Sequence, residues 1–182
     1  MKKVFIFLAE GFEETEAVAT MDVMLRGGLD LTSVSVTGNL LVAGAHGIAV
    51  KADALFEEAD FSSGDMLVLP GGMPGASNLN AHEGVKNLLK HYATEDKKIA
   101  AICAAPLVLG GLNLLKGKNA TAYPGFESTL KGAAFVNSPV VKDGNIITGR
   151  GPGLAFQFGL AIVEELQGKA KADEVAEDLL LK

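Results

Sequence analysis

One cysteine occurs in the 182 residues, Cys103, and its neighbours suggest chemistry. It follows the apolar run Ile99-Ala100-Ala101-Ile102 and precedes Ala104-Ala105-Pro106 and a helical pattern through Leu109. That order puts the sulfur on a sharp strand-to-helix turn, facing the positive end of a helix. Both features favour thiolate, the reactive species, so Cys103 is expected to titrate well below an ordinary thiol. Ala101, Ala104 and Ala105 are small, as a crowded turn requires. The bland alternative is a small apolar residue packed beside a buried strand.

Two other junctions could serve such a nucleophile. Glu10, Glu13, Glu14 and Glu16 cluster where the first strand gives way to the first helix. Glu13 and Glu14 read as ordinary first-turn partners of the helix dipole. Glu16 lies deeper, beside Ala17-Val18, where partial burial would raise its pKa and keep it protonated near neutrality. A protonated Glu16 could donate to sulfur and later move a proton. Leu69-Pro70-Gly71-Gly72-Met73-Pro74-Gly75 ends another strand. Backbone N–H groups of Gly71 and Gly72 could point into a cleft and hold an oxyanion, or the segment could be only a tight turn.

Short apolar runs alternating with helical patterns would position these residues. Val4–Leu8, Leu31–Thr37, Asp65–Leu69 and Ile99–Ile102 read as strands. Leu40–Val50, broken at Gly44-Ala45-His46-Gly47, reads as a hairpin, as do Val140–Val141 and Ile146–Thr148 around Lys142-Asp143-Gly144-Asn145. Glu13–Arg26, Val85–His91, Leu154–Leu166 and Ala170–Leu181 read as helices; Ala17, Val18, Met21 and Leu25 share one face of the first. The pattern predicts an α/β fold with a mostly parallel sheet covered on both faces. Functional loops then lie beyond the carboxyl ends of the strands, where all three junctions fall.

Composition removes several classes of function. Hydrophobic residues make up 48% and charged residues 21%, a globular balance. Sixteen Lys and Arg against 22 Asp and Glu leave a net charge of −6, which disfavours a nucleic-acid partner. One cysteine forms neither an intrachain disulfide nor a Cys-rich metal site, and His46, His82 and His91 are scattered, so no metal is expected. His82 and His91 read as solvent-facing. Gly149-Arg150-Gly151-Pro152-Gly153 misses the dinucleotide spacing at Leu154. After Met1-Lys2-Lys3 the apolar run Val4–Ala9 is too short for a signal core, and no stretch reaches the ~18 apolar residues of a membrane span. The expectation is one cytoplasmic domain over residues 1–182, with no cofactor and no membrane partner.

Taken together, Ala9-Glu10-Gly11-Phe12-Glu13-Glu14-Thr15-Glu16, Met21-Asp22-Val23-Met24, Leu69-Pro70-Gly71-Gly72, Ala100-Ala101-Ile102-Cys103-Ala104-Ala105-Pro106 and Arg150-Gly151-Pro152-Gly153 resemble the ThiJ/PfpI superfamily, in its DJ-one-like branch. The resemblance runs through the whole chain in order. It implies a flavodoxin-like three-layer α/β sandwich and a homodimer with the first helix and hairpin, including Arg26 and His46, near the interface. It also implies a nucleophilic Cys103 on a strained elbow, Glu16 as its carboxyl partner, and backbone amides of Gly72 and Ala104 around an incoming oxygen.

The sequence departs from that pattern in places. Protease-like members carry histidine directly after the cysteine, where this chain has Ala104. Ala134 aligns with a histidine that relatives bring near the cysteine, Ala105 with a usual glycine, and His46 with a hairpin arginine. No Cys-His-acid triad is legible, so proteolysis is disfavoured. Two functions remain. One is cofactor-free glyoxalase or deglycase chemistry on a small reactive carbonyl such as methylglyoxal. The other is a redox-responsive or chaperone-like role in which Cys103 is oxidised to sulfinate.

Overall fold

A computed structural model describes residues Met1–Leu181. Along the chain come β1 (Lys3–Leu8), α1 (Glu14–Arg26), β2 (Asp30–Ser35), β3 (Leu41–Ala43), β4 (Ala49–Lys51), β5 (Ala54–Leu55) and β6 (Met66–Leu69). There follow α2 (Gly75–Ala81), α3 (Glu83–Thr94), β7 (Lys98–Ile102), α4 (Pro106–Gly111), β8 (Asn119–Ala120) and β9 (Ala134–Phe135). The chain continues through β10 (Val140–Asp143), β11 (Ile146–Gly149), α5 (Ala155–Gln167) and α6 (Lys169–Asp178).

The main sheet has the order β10-β11-β7-β6-β1-β2-β5, parallel throughout except at the β10–β11 hairpin. Its strands bury both faces, so alternate residues feed two separate cores. Phe5, Phe7, Leu67 and Ile99 point to the side covered by α3 and α4, through Leu89, Tyr92 and Val108. Val4, Ile6, Met66 and Ala100 point to the side of α1, α5 and α6, through Met24, Phe158, Ile162 and Val175. This is the covered, mostly parallel sheet that the alternation of apolar runs and helices predicts, in the three-layer, flavodoxin-like form that the family resemblance implies.

Strand order reverses at β1, which has β2 on one side and β6 on the other. Ligands of open parallel sheets bind where the order reverses, at the carboxyl ends. The segments leaving β1, β6 and β7 there are Ala9–Glu13, Pro70–Gly72 and Cys103.

Local differences from the sequence expectation have physical causes. In α1 the buried side is Glu14, Glu16, Ala17, Thr20, Val23 and Met24, whereas Val18 and Leu25 are exposed. The helix is apolar on its outer face too, so hydrophobic spacing alone misjudged the inward side. His82 is not solvent-facing: it caps α3 by accepting the Val85 N–H at 3.1 Å and packs against Phe56. His91 is exposed, as expected. The short elements α2, β5, β8 and β9 carried too few periodic residues to be read.

Helix α1 approaches α5 closely because Gly159 has no side chain; a Cβ there would lie 2.8 Å from Cβ of Val23. Gly159→Val should therefore push the helix bearing Glu16 outward, costing about 1–3 kcal/mol in chemical denaturation. Wild-type stability in that variant would show that the helix contact tolerates added volume.

Candidate active site

The elbow is held on both sides. Cys103 has φ 65°, a left-handed conformation rarely adopted by a residue with a side chain. Its N–H donates to the Gly149 carbonyl of β11 at 2.9 Å, and its own carbonyl accepts from the Tyr123 N–H at 2.9 Å. The Ala105 N–H bonds back to the Ile102 carbonyl at 3.0 Å, and Pro106 opens α4. These bonds compensate a backbone strain that turns the cysteine toward the carboxyl ends of the strands.

Glu16 reaches the elbow from α1. Glu13 caps that helix, its carboxylate accepting the Glu16 N–H at 2.6 Å, which fixes the helix start. The Glu16 side chain is fully buried. Its Oε2 accepts the Gly71 N–H at 2.8 Å, while Oε1 is buried without a hydrogen-bond partner. Gly71 must be glycine: a Cβ would lie 2.7 Å from both Cys103 Cβ and Glu16 Oε2. Gly72 follows at φ 87°, packed against the backbone of Gly11 through Glu13. The Gly71 amide is therefore spent on Glu16. This corrects its expected oxyanion role and leaves the amides of Gly72 and Ala104 directed at the sulfur.

Burial pushes the Glu16 carboxyl up to about 7, against the opposing hydrogen bonds from Cys103 and Gly71. An unpaired buried oxygen is costly on a carboxylate and much less so on a neutral acid. Two sets of influences oppose one another at Cys103. Burial, then the charge and hydrogen bond of Glu16, raise the thiol well above its usual range, although the Gly72 and Ala104 amides pull it down. The two groups face each other, so the proton lost near neutrality belongs to the pair. Within that singly charged pair, the Gly72 and Ala104 amides lower the cost of moving the charge onto sulfur.

Glu14 does something different from its neighbours. It is buried, and its carboxylate accepts from the His46 amide at 2.6 Å, the Ile48 amide at 3.3 Å and His46 Nδ1 at 2.8 Å. Burial raises its pKa, but the His46 and Ile48 bonds outweigh that and hold it at about 2. The His46 pKa is raised by the same contact. Gly44 makes room, since any side chain there would strike the Glu14 carboxyl. Glu14 thus ties the β3–β4 hairpin to α1 instead of merely compensating a helix dipole.

That tie brings His46 to the rim of a cavity of about 290 Å³ over Cys103. The cavity is also lined by Glu13, Gly72, Met73, Ala104, Tyr123, Phe126 and Pro152. Tyr123 and Phe126 were not singled out in the sequence, because they lie on loops with no periodic signal, whereas Met73 and Pro152 belong to segments named there without a role of their own. Ala134, aligned with the relatives' histidine, is instead exposed on β9; the segment Tyr123–Phe126 occupies the wall beside Cys103. Arg26 is remote from the cavity, exposed and paired with Asp22 at 2.7 Å. Glu13, Glu14 and His46 are the group of described residues with donor atoms close enough to surround a cation. Glu14 and His46 Nδ1, however, already satisfy one another.

Comparison with known proteins fits this geometry. The family model described as "DJ-1/PfpI family" matches residues 2–165. "Protein DJ-1 homolog A" of Arabidopsis thaliana is 44% identical over all of this chain, which spans 47% of that relative's length. "Glutathione-independent glyoxalase DJR-1.2" of Caenorhabditis elegans is 32% identical, over 94% of this chain and 92% of the relative. The solved structure "Toxoplasma gondii DJ-1, oxidized" superposes with a TM-score of 0.95 at 35% identity, covering 99% of this chain and 98% of that one. No helix among the described residues is long and apolar enough to cross a membrane.

Coupling has two measurable consequences. Alkylation of Cys103 by iodoacetamide should first rise with an apparent pKa of about 7, that of the pair. Glu16→Leu should move the rise above the ~8.5 of a free thiol, because burial persists and the donor is gone. A wild-type profile centred at ~8.5 would show independent titration. The folded Glu16 pKa is raised, so its contribution to stability is present below pH 4.5 and lost as pH rises through about 7. Denaturation curves across that window should show this decline in the wild type and lose it in Glu16→Leu.

Proposed function

The chain belongs to the DJ-1/PfpI family, and from that premise we propose that it is a cofactor-independent enzyme acting on reactive carbonyls of the methylglyoxal type. Cys103 is the nucleophile and Glu16 the proton shuttle. The observation that carries this reading is the buried Glu16 carboxyl, with a pKa of about 7, facing Cys103 beneath an open cavity. The glyoxalase name of the Caenorhabditis elegans relative supports the same reaction class.

Thiol-to-carboxyl proton transfer releases the sulfur, which adds to the aldehyde carbon. The former carbonyl oxygen becomes an oxyanion near the amides of Gly72 and Ala104 and is protonated by Glu16, giving a hemithioacetal. The Glu16 carboxylate then removes the proton from that carbon, leaving an enediolate, and returns it to the adjacent carbon, while the hydroxyl proton of the hemithioacetal passes to the neighbouring oxygen. The resulting α-hydroxy thioester is cleaved by water, which frees the hydroxy acid and restores the thiol. Atoms balance as 2-oxoaldehyde plus water giving 2-hydroxy acid: the aldehyde carbon is oxidised as the adjacent ketone carbon is reduced, so no external oxidant is needed.

Oxidation of Cys103 is the second reading, favoured by the oxidised state named for the Toxoplasma gondii relative. Peroxide would take the thiolate to sulfenate and a second equivalent would take it to sulfinate, with Glu16 donating to an oxygen on sulfur. In that role deglycase or glyoxalase turnover is incidental.

The chain is further proposed to form a homodimer through the outer face of α1. Val18, Leu25 and Phe156 are exposed there, and a shallow apolar hollow lies between Val18, Ala19 and Phe156. Leu41 and Ile48 add exposed apolar surface on the hairpin. Association of two such faces removes them from water. Sedimentation should give a dimer at micromolar concentration, and Val18→Glu should shift it to monomer; a monomeric wild type would refute this interface.

Methylglyoxal consumption and lactate formation by the wild type test the reaction itself, and Cys103→Ser should abolish both. Glu16→Gln keeps a donor of similar shape but cannot exchange the proton, so turnover should fall by roughly 10²–10⁴. Wild-type turnover in that variant would remove Glu16 as proton carrier, whereas sulfinate formation without any turnover would select the redox role.

A further inference from the structure

The chain has two arginines, and the structure uses them differently. Arg26 is exposed and paired with Asp22. Arg150, in the loop between β11 and α5, is half-buried and has no ion pair or side-chain hydrogen bond among the described residues. Its guanidinium lies over the Phe135 ring at 5.6 Å, and its Nη1 is buried without a partner. The backbone is fixed by the Arg150 N–H bond to the Pro139 carbonyl at 3.0 Å. A guanidinium removed from water and given no acceptor is unfavourable unless something else supplies one.

Its surroundings point to that acceptor. Arg150 lines a hollow of about 210 Å³ with Tyr123, Pro124, Gly151, Pro152 and Leu154. Tyr123 and Pro152 also line the Cys103 cavity, so the two openings share a wall. Gly151 lets the Tyr123 ring sit close: a Cβ there would be 3.1 Å from Tyr123 Cδ2. A guanidinium placed over an aromatic ring and left without an acceptor has N–H groups available for two parallel hydrogen bonds to a carboxylate or phosphate. Lysine's compact charge would not reproduce that fork.

We propose that Arg150 is an anion-binding residue that anchors a carboxylate or phosphate carried at the far end of the compound whose carbonyl meets Cys103. The inference deepens the proposed reaction and depends on it only for the word carbonyl. The anion subsite can be measured without turnover. Its effect is to favour charged short-chain carbonyls over neutral ones of equal size.

The test uses the full chain and the rate of Cys103 alkylation by iodoacetamide. Inorganic phosphate and acetate, compared with chloride at equal ionic strength, should slow alkylation in a saturable way. Stronger protection by phosphate or by acetate identifies which oxyanion the subsite takes. Arg150→Gln should weaken that protection by roughly tenfold or more, and Arg150→Lys should restore only part of it. If the Gln variant does not fold, the Lys variant alone decides, because it keeps the charge and loses the fork. Equal slowing by chloride, or unchanged protection in Arg150→Lys and Arg150→Gln, overturns the proposal. So does a shift from dimer to monomer in Arg150→Gln with no phosphate protection in the wild type, which would assign Arg150 to the subunit contact. Phosphate protection without methylglyoxal turnover would leave this subsite standing while the proposed reaction fell.

Discussion

The site depends on one carboxyl held out of water. Glu16 projects from the first turn of a helix into the switch point of the sheet, where it meets Gly71, Cys103 and nothing else that can donate to its second oxygen. Such a group is cheaper neutral than charged, so the fold itself keeps a proton beside the sulfur. The rest of the local architecture is arranged to make that placement possible. Glu13 fixes where the helix begins, Gly71 leaves space for the carboxyl, and Gly159 lets the helix lie close to α5. The strained cysteine then completes the pair from the opposite side, held by main-chain bonds to Gly149 and Tyr123.

Three glutamates within four residues meet three different fates, although their side chains are chemically identical. Glu13 stays at the helix start as a cap, Glu14 is saturated by hairpin donors and held at about 2, and Glu16 is starved of donors and pushed up to about 7. Donor supply decides between the last two, since both are buried by surface area. This division has a structural consequence. The low-pKa carboxylate brings His46 to the cavity rim, while the high-pKa one works at its floor.

Much of this was legible in the sequence, and what was not had a local cause. Buried strands announce themselves by uninterrupted apolar runs, which located β1, β6 and β7 and hence the loops that matter. Cys103 and Glu16 were visible because a nucleophile after such a strand, and a carboxyl inside an apolar helix face, break the surrounding pattern. The inward face of α1 was misjudged because Val18 and Leu25 satisfy the same periodicity while facing outward. The burial that opposes the turn and helix start at Cys103 was not legible, because it comes from tertiary packing. Tyr123 and Phe126 reach the cavity through tertiary placement on a loop, where neither period nor motif carries a signal, and the motif containing Arg150 did not reveal that its guanidinium is left unpaired.

Burial also explains why the floor and rim of this cavity can serve separate purposes. The Glu16–Cys103 proton exchange needs no water and no cofactor, and it would support either addition to an aldehyde or stabilisation of an oxidised sulfur. Its chemistry is therefore permissive: a small electrophile that reaches the sulfur encounters the same acid and the same two amides. Discrimination must come from what can enter and remain, and that is decided at the rim by Glu13, His46, Met73, Tyr123 and Pro152. His46 stands at the position where relatives resemble one another in carrying arginine, and its ring is already committed to Glu14. An unpaired guanidinium survives elsewhere, behind the shared Tyr123–Pro152 wall. The two sides of the cavity thus differ in charge: on the hairpin side the His46 ring is balanced by Glu14, while on the β11–α5 side the Arg150 guanidinium has no such partner among the described residues.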